Sequence, residues 1–114
     1  MILKKNGIAV HVNCLDEGDI EKLVQKNMHI VHCPRSHAYF NHPTFQINDL
    51  QSKNINIALG TDSLASVTDE DSQDSLSLFD EMRKLLEGEN AVKPESILKM
   101  STVNGAKALG LHYE

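Results

Sequence analysis

No stretch of this 114-residue chain reaches the roughly 18 consecutive apolar residues that a membrane-spanning helix needs. The N-terminal Met-Ile-Leu-Lys-Lys-Asn-Gly has neither the apolar core nor the small-residue cleavage site of a secretory signal. A soluble, cytoplasmic protein with no membrane partner is therefore expected. Cysteine is scarce too: Cys14 and Cys33 stand far apart and form no framework of the kind that staples small secreted domains, in keeping with a reducing compartment. Basic residues are outnumbered, 11 against 16 acids for a net charge of −5, and they line up in no stripe. That deficit excludes a phosphate backbone as a natural ligand, and with it nucleic acid as a partner. The acidic run Asp69, Glu70, Asp71, Asp74 contains no glycine, which a calcium loop requires, so it reads as a solvated loop. No low-complexity tract occurs, and no internal repeat beyond a strand-helix unit.

What the chain does contain is one pattern three times over: Gly-Ile-Ala-Val-His11, His-Ile-Val-His32-Cys-Pro and Ile-Ala-Leu-Gly-Thr-Asp62-Ser. Short continuous apolar runs separated by helical patterns read as buried parallel strands. The predicted strands are Ile8 to Val12, Met28 to Cys33 and Ile55 to Leu59. Between the first two, Leu15, Ile20, Leu23 and Val24 recur at helical spacing until Asn27. Cys33-Pro34 ends the second strand, and residues 35–44, polar and aromatic, are expected to form a loop. A short helix marked by Phe45, Ile47 and Leu50 ends near Asn54, and 63–74 is expected to be a mobile loop. Further on, Leu76, Leu78, Phe79, Met82, Leu85 and Leu86 form one apolar stripe stopped at Gly88. Asp80, Glu81, Arg83 and Lys84 read as its wet face. Pro94 opens a helix with Ile97, Leu98 and Met100 inward, and Ala106, Ala108 and Leu109 suggest a last one.

The fold class is therefore α/β, a parallel sheet of three strands with right-handed helical crossovers. Three parallel strands leave open edges and faces, and these helices are too few to cover both sides. On physical grounds the chain looks like part of something larger.

The strand ends carry the chemistry, because the carboxyl edge of a parallel sheet is where α/β folds keep their sites. His11 leaves the sheet there and can ligate a metal, donate to developing charge, or simply pack. Asp62, at a turn after a buried strand, can bind metal and hold a water proton, or cap the turn. His32 has the same readings as His11. Arg35 is positioned to grip an anion or carboxylate, and His37 and His42 to face solvent or substrate. Cys33 reads as core, and His29, at the opposite end of its strand, as structural.

Four segments in order, His11-Val-Asn-Cys-Leu with Asp19-Ile, Val31-His-Cys-Pro-Arg-Ser, Leu59-Gly-Thr-Asp62-Ser and Leu76-Ser-Leu-Phe-Asp-Glu-Met-Arg, resemble the amidohydrolase superfamily. The resemblance is to its chlorohydrolase and aminohydrolase branch, which includes S-adenosylhomocysteine, guanine and aminodeoxyfutalosine deaminases, and it extends to the terminal Met100-Ser-Thr-Val-Asn-Gly-Ala-Lys-Ala-Leu-Gly. It implies a (β/α)8 (TIM) barrel of which this chain, 1–114, is the C-terminal fragment, equivalent to strands 6–8 with their helices. It also implies that Asp62 ligates a divalent metal, zinc first with iron or manganese as alternatives, and shuttles a proton. By the same likeness His11 orients the reacting group, and His32, Arg35, Ser36 and His37 line the substrate pocket.

The family's His-x-His pair, its other metal-binding histidine and its acid-base glutamate would lie upstream of Met1. The resemblance thus implies a small-molecule substrate, an amino-bearing heterocycle, for the complete enzyme. It also implies that the isolated chain binds metal weakly, is inactive, and either pairs with a missing N-terminal barrel part or self-associates. Two other readings remain: an autonomous non-catalytic α/β module for ligand binding or dimerisation, and a self-contained metal site of His11, His32 and Asp62.

Overall fold

The computed structural model describes residues 3–67, 75–88 and 90–111. Three short strands, β1 (Ile8–Val10), β2 (His29–His32) and β3 (Ile57–Leu59), form one parallel sheet in the order β1-β2-β3. The register pairs Ala9 with Ile30 and Val31 with Ala58. Helix α1 (Asp19–Gln25) connects β1 to β2, and α2 (Pro34–Tyr39) and α3 (Ile47–Ser52) connect β2 to β3. After β3 come one 3₁₀ turn (Leu64–Ser66) and helices α4 (Leu78–Leu86), α5 (Pro94–Met100) and α6 (Val103–Ala108). The parallel three-stranded α/β arrangement agrees with the sequence pattern. The acidic run at 69–71 and 74 lies outside the described residues.

Alternation along the strands puts Ile30 and His32 of β2, and Ile57 and Leu59 of β3, on a single face. Against that face pack Phe45, Ile47, Leu50, Leu85, Ile97 and Met100, one continuous core between sheet and helices. Strand β3 runs into a close approach at its end: a Cβ at Gly60 would lie 2.8 Å from Val31 Cγ1. Only glycine lets the chain pass over β2 there and turn into Asp62.

Three expectations are corrected. The segment after Cys33 is not all loop, because α2 starts at Pro34 itself. Proline at the first helical position loses no hydrogen bond. The next N–H, that of Arg35, donates to Glu81 Oε2 at 2.9 Å, a partner 46 residues away that no local pattern displays.

The stripe on α4 is also rotated from its predicted setting. Glu81, read as wet, is completely buried, whereas Phe79 is 78% exposed and Leu86 is exposed as well. The burial follows from Arg35, whose guanidinium brings a charge that only a carboxylate can balance in the interior. On α5, Ile97 and Met100 point inward as expected, but Leu98 is exposed.

Candidate active site

Asp62 is presented by the turn after β3 with φ 56°, in the left-handed region. Its Oδ2 accepts a hydrogen bond from Ser36 Oγ at 2.7 Å and lies 3.5 Å from Ser66 Oγ. His11 Nε2 stands 3.9 Å from the same oxygen. His11 continues the β1 ladder through its N–H to Val31 O at 2.8 Å, yet it and Val12 both have positive φ, 73° and 51°. Left-handed backbone at a β-branched residue is uncommon and costs about 1–3 kcal/mol. The strain sits where the chain delivers His11 toward Asp62, the kind of place where strained backbone clusters.

His37 projects from α2 onto the loop after β1. Its Nε2 lies 2.7 Å from Pro43 O, which can only accept, so that nitrogen carries a proton. Burial holds the ring below the ordinary imidazole range, and it is neutral at physiological pH. Nδ1, 3.0 Å from the Asn13 side-chain amide, then accepts, and the amide meets it with its NH2 after a half turn. Asn13, two residues beyond His11, is thereby tied to α2.

The remaining sequence-predicted residues are turned elsewhere. Arg35 is 1% exposed, with Nε on Glu81 Oε1 at 2.8 Å, Nη2 donating to Ser75 O at 3.1 Å and Nη1 3.8 Å from Asp80 Oδ2. The guanidinium is held inside the chain by Glu81 and Ser75, while Nη1 is buried and has no hydrogen-bond partner among the described residues.

His32, 3% exposed, lies on the helix-packed face of the sheet, stacked on Phe45 with ring centroids 3.9 Å apart and meeting His37 edge-on. Burial, with smaller contributions from His37 and His11, pushes its pKa down to about 3. Its Nδ1 has no partner among the described residues. His32 borders a cleft of about 400 Å³ with His37, His42, Phe45 and Lys84, separate from its expected convergence with His11 and Asp62.

Cys33 lies beneath the turn, its sulfur accepting from the Asp62 N–H. Burial, then the Asp62 and Glu81 carboxylates, push the thiol up to about 11, so it is inert. His29, at the other end of β2, is held by Asn56 Nδ2 at 3.1 Å.

The structure therefore brings together His11, Ser36 and Asp62, with His37 alongside. It adds Asn13, Ser66 and Glu81, whose contacts no local pattern displays, although Asn13 and Glu81 lie within the segments that carry the family resemblance and Ser66 follows Asp62 by one helical turn. Among the described residues no three His, Cys, Asp or Glu side chains gather as a metal-ligand set. Asp62 with His11 offers one corner of such a set, too few ligands for a closed site.

A parallel α/β segment with a histidine of positive φ and a hydrogen-bonded aspartate at its strand ends has the layout of the class in which α/β folds hold ligands at the carboxyl edge of the sheet. The chain belongs to the amidohydrolase family, whose model matches residues 1–113. It is 38% identical to a 5-methylthioadenosine/S-adenosylhomocysteine deaminase of Pyrococcus horikoshii, the match covering 96% of this chain and 26% of that protein. The same enzyme of Desulfitobacterium hafniense is 36% identical, with 92% and 24% covered.

Among solved structures, an adenosine deaminase from Xanthomonas campestris with bound zinc superposes with a TM-score of 0.73 at 30% identity, over 90% of this chain and 24% of that one. E. coli guanine deaminase superposes at 0.75 with 21% identity, over 95% and 24%, a likeness of fold. The chain spans about a quarter of the length of these relatives. No helix among the described residues is long and apolar enough to cross a membrane.

Proposed function

We propose that residues 1–114 form the C-terminal wall, strands six to eight, of a TIM-barrel deaminase. In that reading the complete protein hydrolyses a carbon–nitrogen bond of an amino-bearing heterocycle, a purine nucleoside or base, and releases ammonia. The observation that carries it is the pairing of Asp62 with Ser36 and His11 at the strand ends, in a chain whose relatives are deaminases over this segment. A divalent metal, zinc with iron and manganese as alternatives, supplies a water acidic enough to attack at neutral pH. The residues here do not make up that metal's site alone, and the remaining ligands belong to the rest of the barrel.

Within this chain, Asp62 would be the carboxylate ligand of that metal and would hold a proton on its way to the leaving group, and His11 would orient the reacting atoms. Ser36 and His37 stand beside them on α2. Arg35 and His32, turned into the interior, shape that wall without touching substrate. The whole enzyme acts in the cytoplasm.

The test is an ammonia-release assay on the zinc-loaded complete protein with 5′-methylthioadenosine, S-adenosylhomocysteine, adenosine and guanine. At least one is expected to turn over, and Asp62→Asn to lower kcat by about 10²–10⁴-fold. Turnover of none of them, or an Asp62→Asn protein of undiminished kcat, overturns the reading. Activity in the 114-residue chain alone contradicts the partial-barrel assignment.

A further inference from the structure

The geometry points to Ser36 as a positioning residue for Asp62, its hydroxyl committing Oδ2 and leaving Oδ1 as the oxygen free to meet a ligand. The bond is short, 2.7 Å, as expected where a hydroxyl donates to a charged carboxylate. Ser36 is 3% exposed, so water does not compete for the contact. Ser66 Oγ, at 3.5 Å, leans on the same oxygen and spends its shorter bond, 3.0 Å, on Ser63 O. His11 Nε2 also faces Oδ2. Three groups thus converge on one carboxylate oxygen, and among the described residues nothing donates to the other.

Ser36 is itself held. It follows Arg35 in the first turn of α2, and Glu81 grips Arg35 twice, through the main-chain N–H at 2.9 Å and Nε at 2.8 Å. Both partners are buried, so α2 cannot slide along α4 without exposing an unpaired charge. Glu81, Arg35, Ser36 and Asp62 therefore form a continuous brace from α4 to the turn after β3. A serine kept here to donate to substrate would first have to surrender its bond to Asp62. A serine kept for packing alone would not need its hydroxyl.

The purpose of the brace rests on the proposed role of Asp62, but the contact does not, and the test separates the two. In the 114-residue chain, the two Hα–Hβ scalar couplings of Asp62 measured by NMR are expected to show one side-chain rotamer. Ser36→Ala is expected to average them while the amides of residues 35 and 81 keep their shifts, and Ser36→Thr to restore the single rotamer. Unchanged Asp62 couplings in a folded Ser36→Ala chain overturn the proposal. Should that variant fail to fold, averaged couplings in the wild-type chain overturn it equally, and a single rotamer in both the wild-type chain and Ser36→Thr supports it. In the complete zinc-loaded enzyme, Ser36→Ala is expected to lose about 10–100-fold in kcat or metal affinity, with Ser36→Thr recovering most of it. A wild-type enzyme without deaminase activity would remove the proposed function and leave the rotamer result standing.

Discussion

β1 and β3 are the outer strands of one sheet. β3 is buried along its length under α4, α5 and α6, whereas β1 leaves Ile8 and Val10, the latter 53% exposed, at an open edge. In a parallel ladder alternate residues face the neighbour. Here Gly7 O and His11 N–H bond to β2, so the main-chain groups of Ile8 point to the uncovered side. Natural sheets cover such edges.

The same contrast runs through the site. Asp62, after β3, is braced by Ser36 and, through Arg35, by Glu81. His11, after β1, is held by one ladder hydrogen bond and sits on strained backbone. One half of the site is braced within this chain, and the other half is not.

The largest effect expected from this contrast is at the brace. Glu81→Ala strands the Arg35 charge in the interior and is expected to cost about 3–5 kcal/mol in urea unfolding. Arg83→Ala, which removes an exposed partner of Asp80, is expected to cost less than about 1 kcal/mol. Equal losses would erase the distinction.

Between the strands, Ile57→Ala in β3 is expected to lose about 2–5 kcal/mol, and Val10→Ala in β1 under about 1 kcal/mol. A Val10→Ala penalty matching that of Ile57→Ala would mean that the β1 edge is already covered, by a second copy for instance. Gly60→Ala, forcing Val31 Cγ1 aside, is expected to cost about 1–3 kcal/mol by thermal unfolding.

A further effect, read as a slope, is expected in pH dependence. His32 stays neutral in the folded chain down to about 3, while the unfolded chain takes up its proton near 6.5. Between those values the unfolded state binds more protons, so stability falls as pH falls, by at most about 1.4 kcal/mol per pH unit. His32→Phe is expected to flatten that slope. An unchanged slope would place the titration elsewhere.

Which parts were legible in the sequence follows from the range of the interactions. Strands end in His11, His32 and Asp62 because apolar runs and turn residues are local signals, and the parallel sheet follows from connection length. α2 was unreadable as a helix because its first free donor is satisfied by Glu81, far away in the chain. For the same reason hydropathy misplaces the face of α4: it cannot show that a glutamate is buried when its arginine lies 46 residues off. His32 shared a motif with His11, yet the alternation of β2 directs it onto Phe45 and away from Asp62. The family resemblance makes Ser36 a pocket residue beside His32. Its hydroxyl on Asp62 depends on the helix that the sequence did not reveal.

In the proposed function this chain carries one corner of a metal site, built around Asp62, and not a whole one. Calorimetric titration of the 114-residue chain with zinc tests it most directly. Weak, non-stoichiometric binding is the expected result, since zinc requires three or more protein ligands. Tight one-to-one binding that disappears in Asp62→Ala would contradict the account and establish a self-contained site.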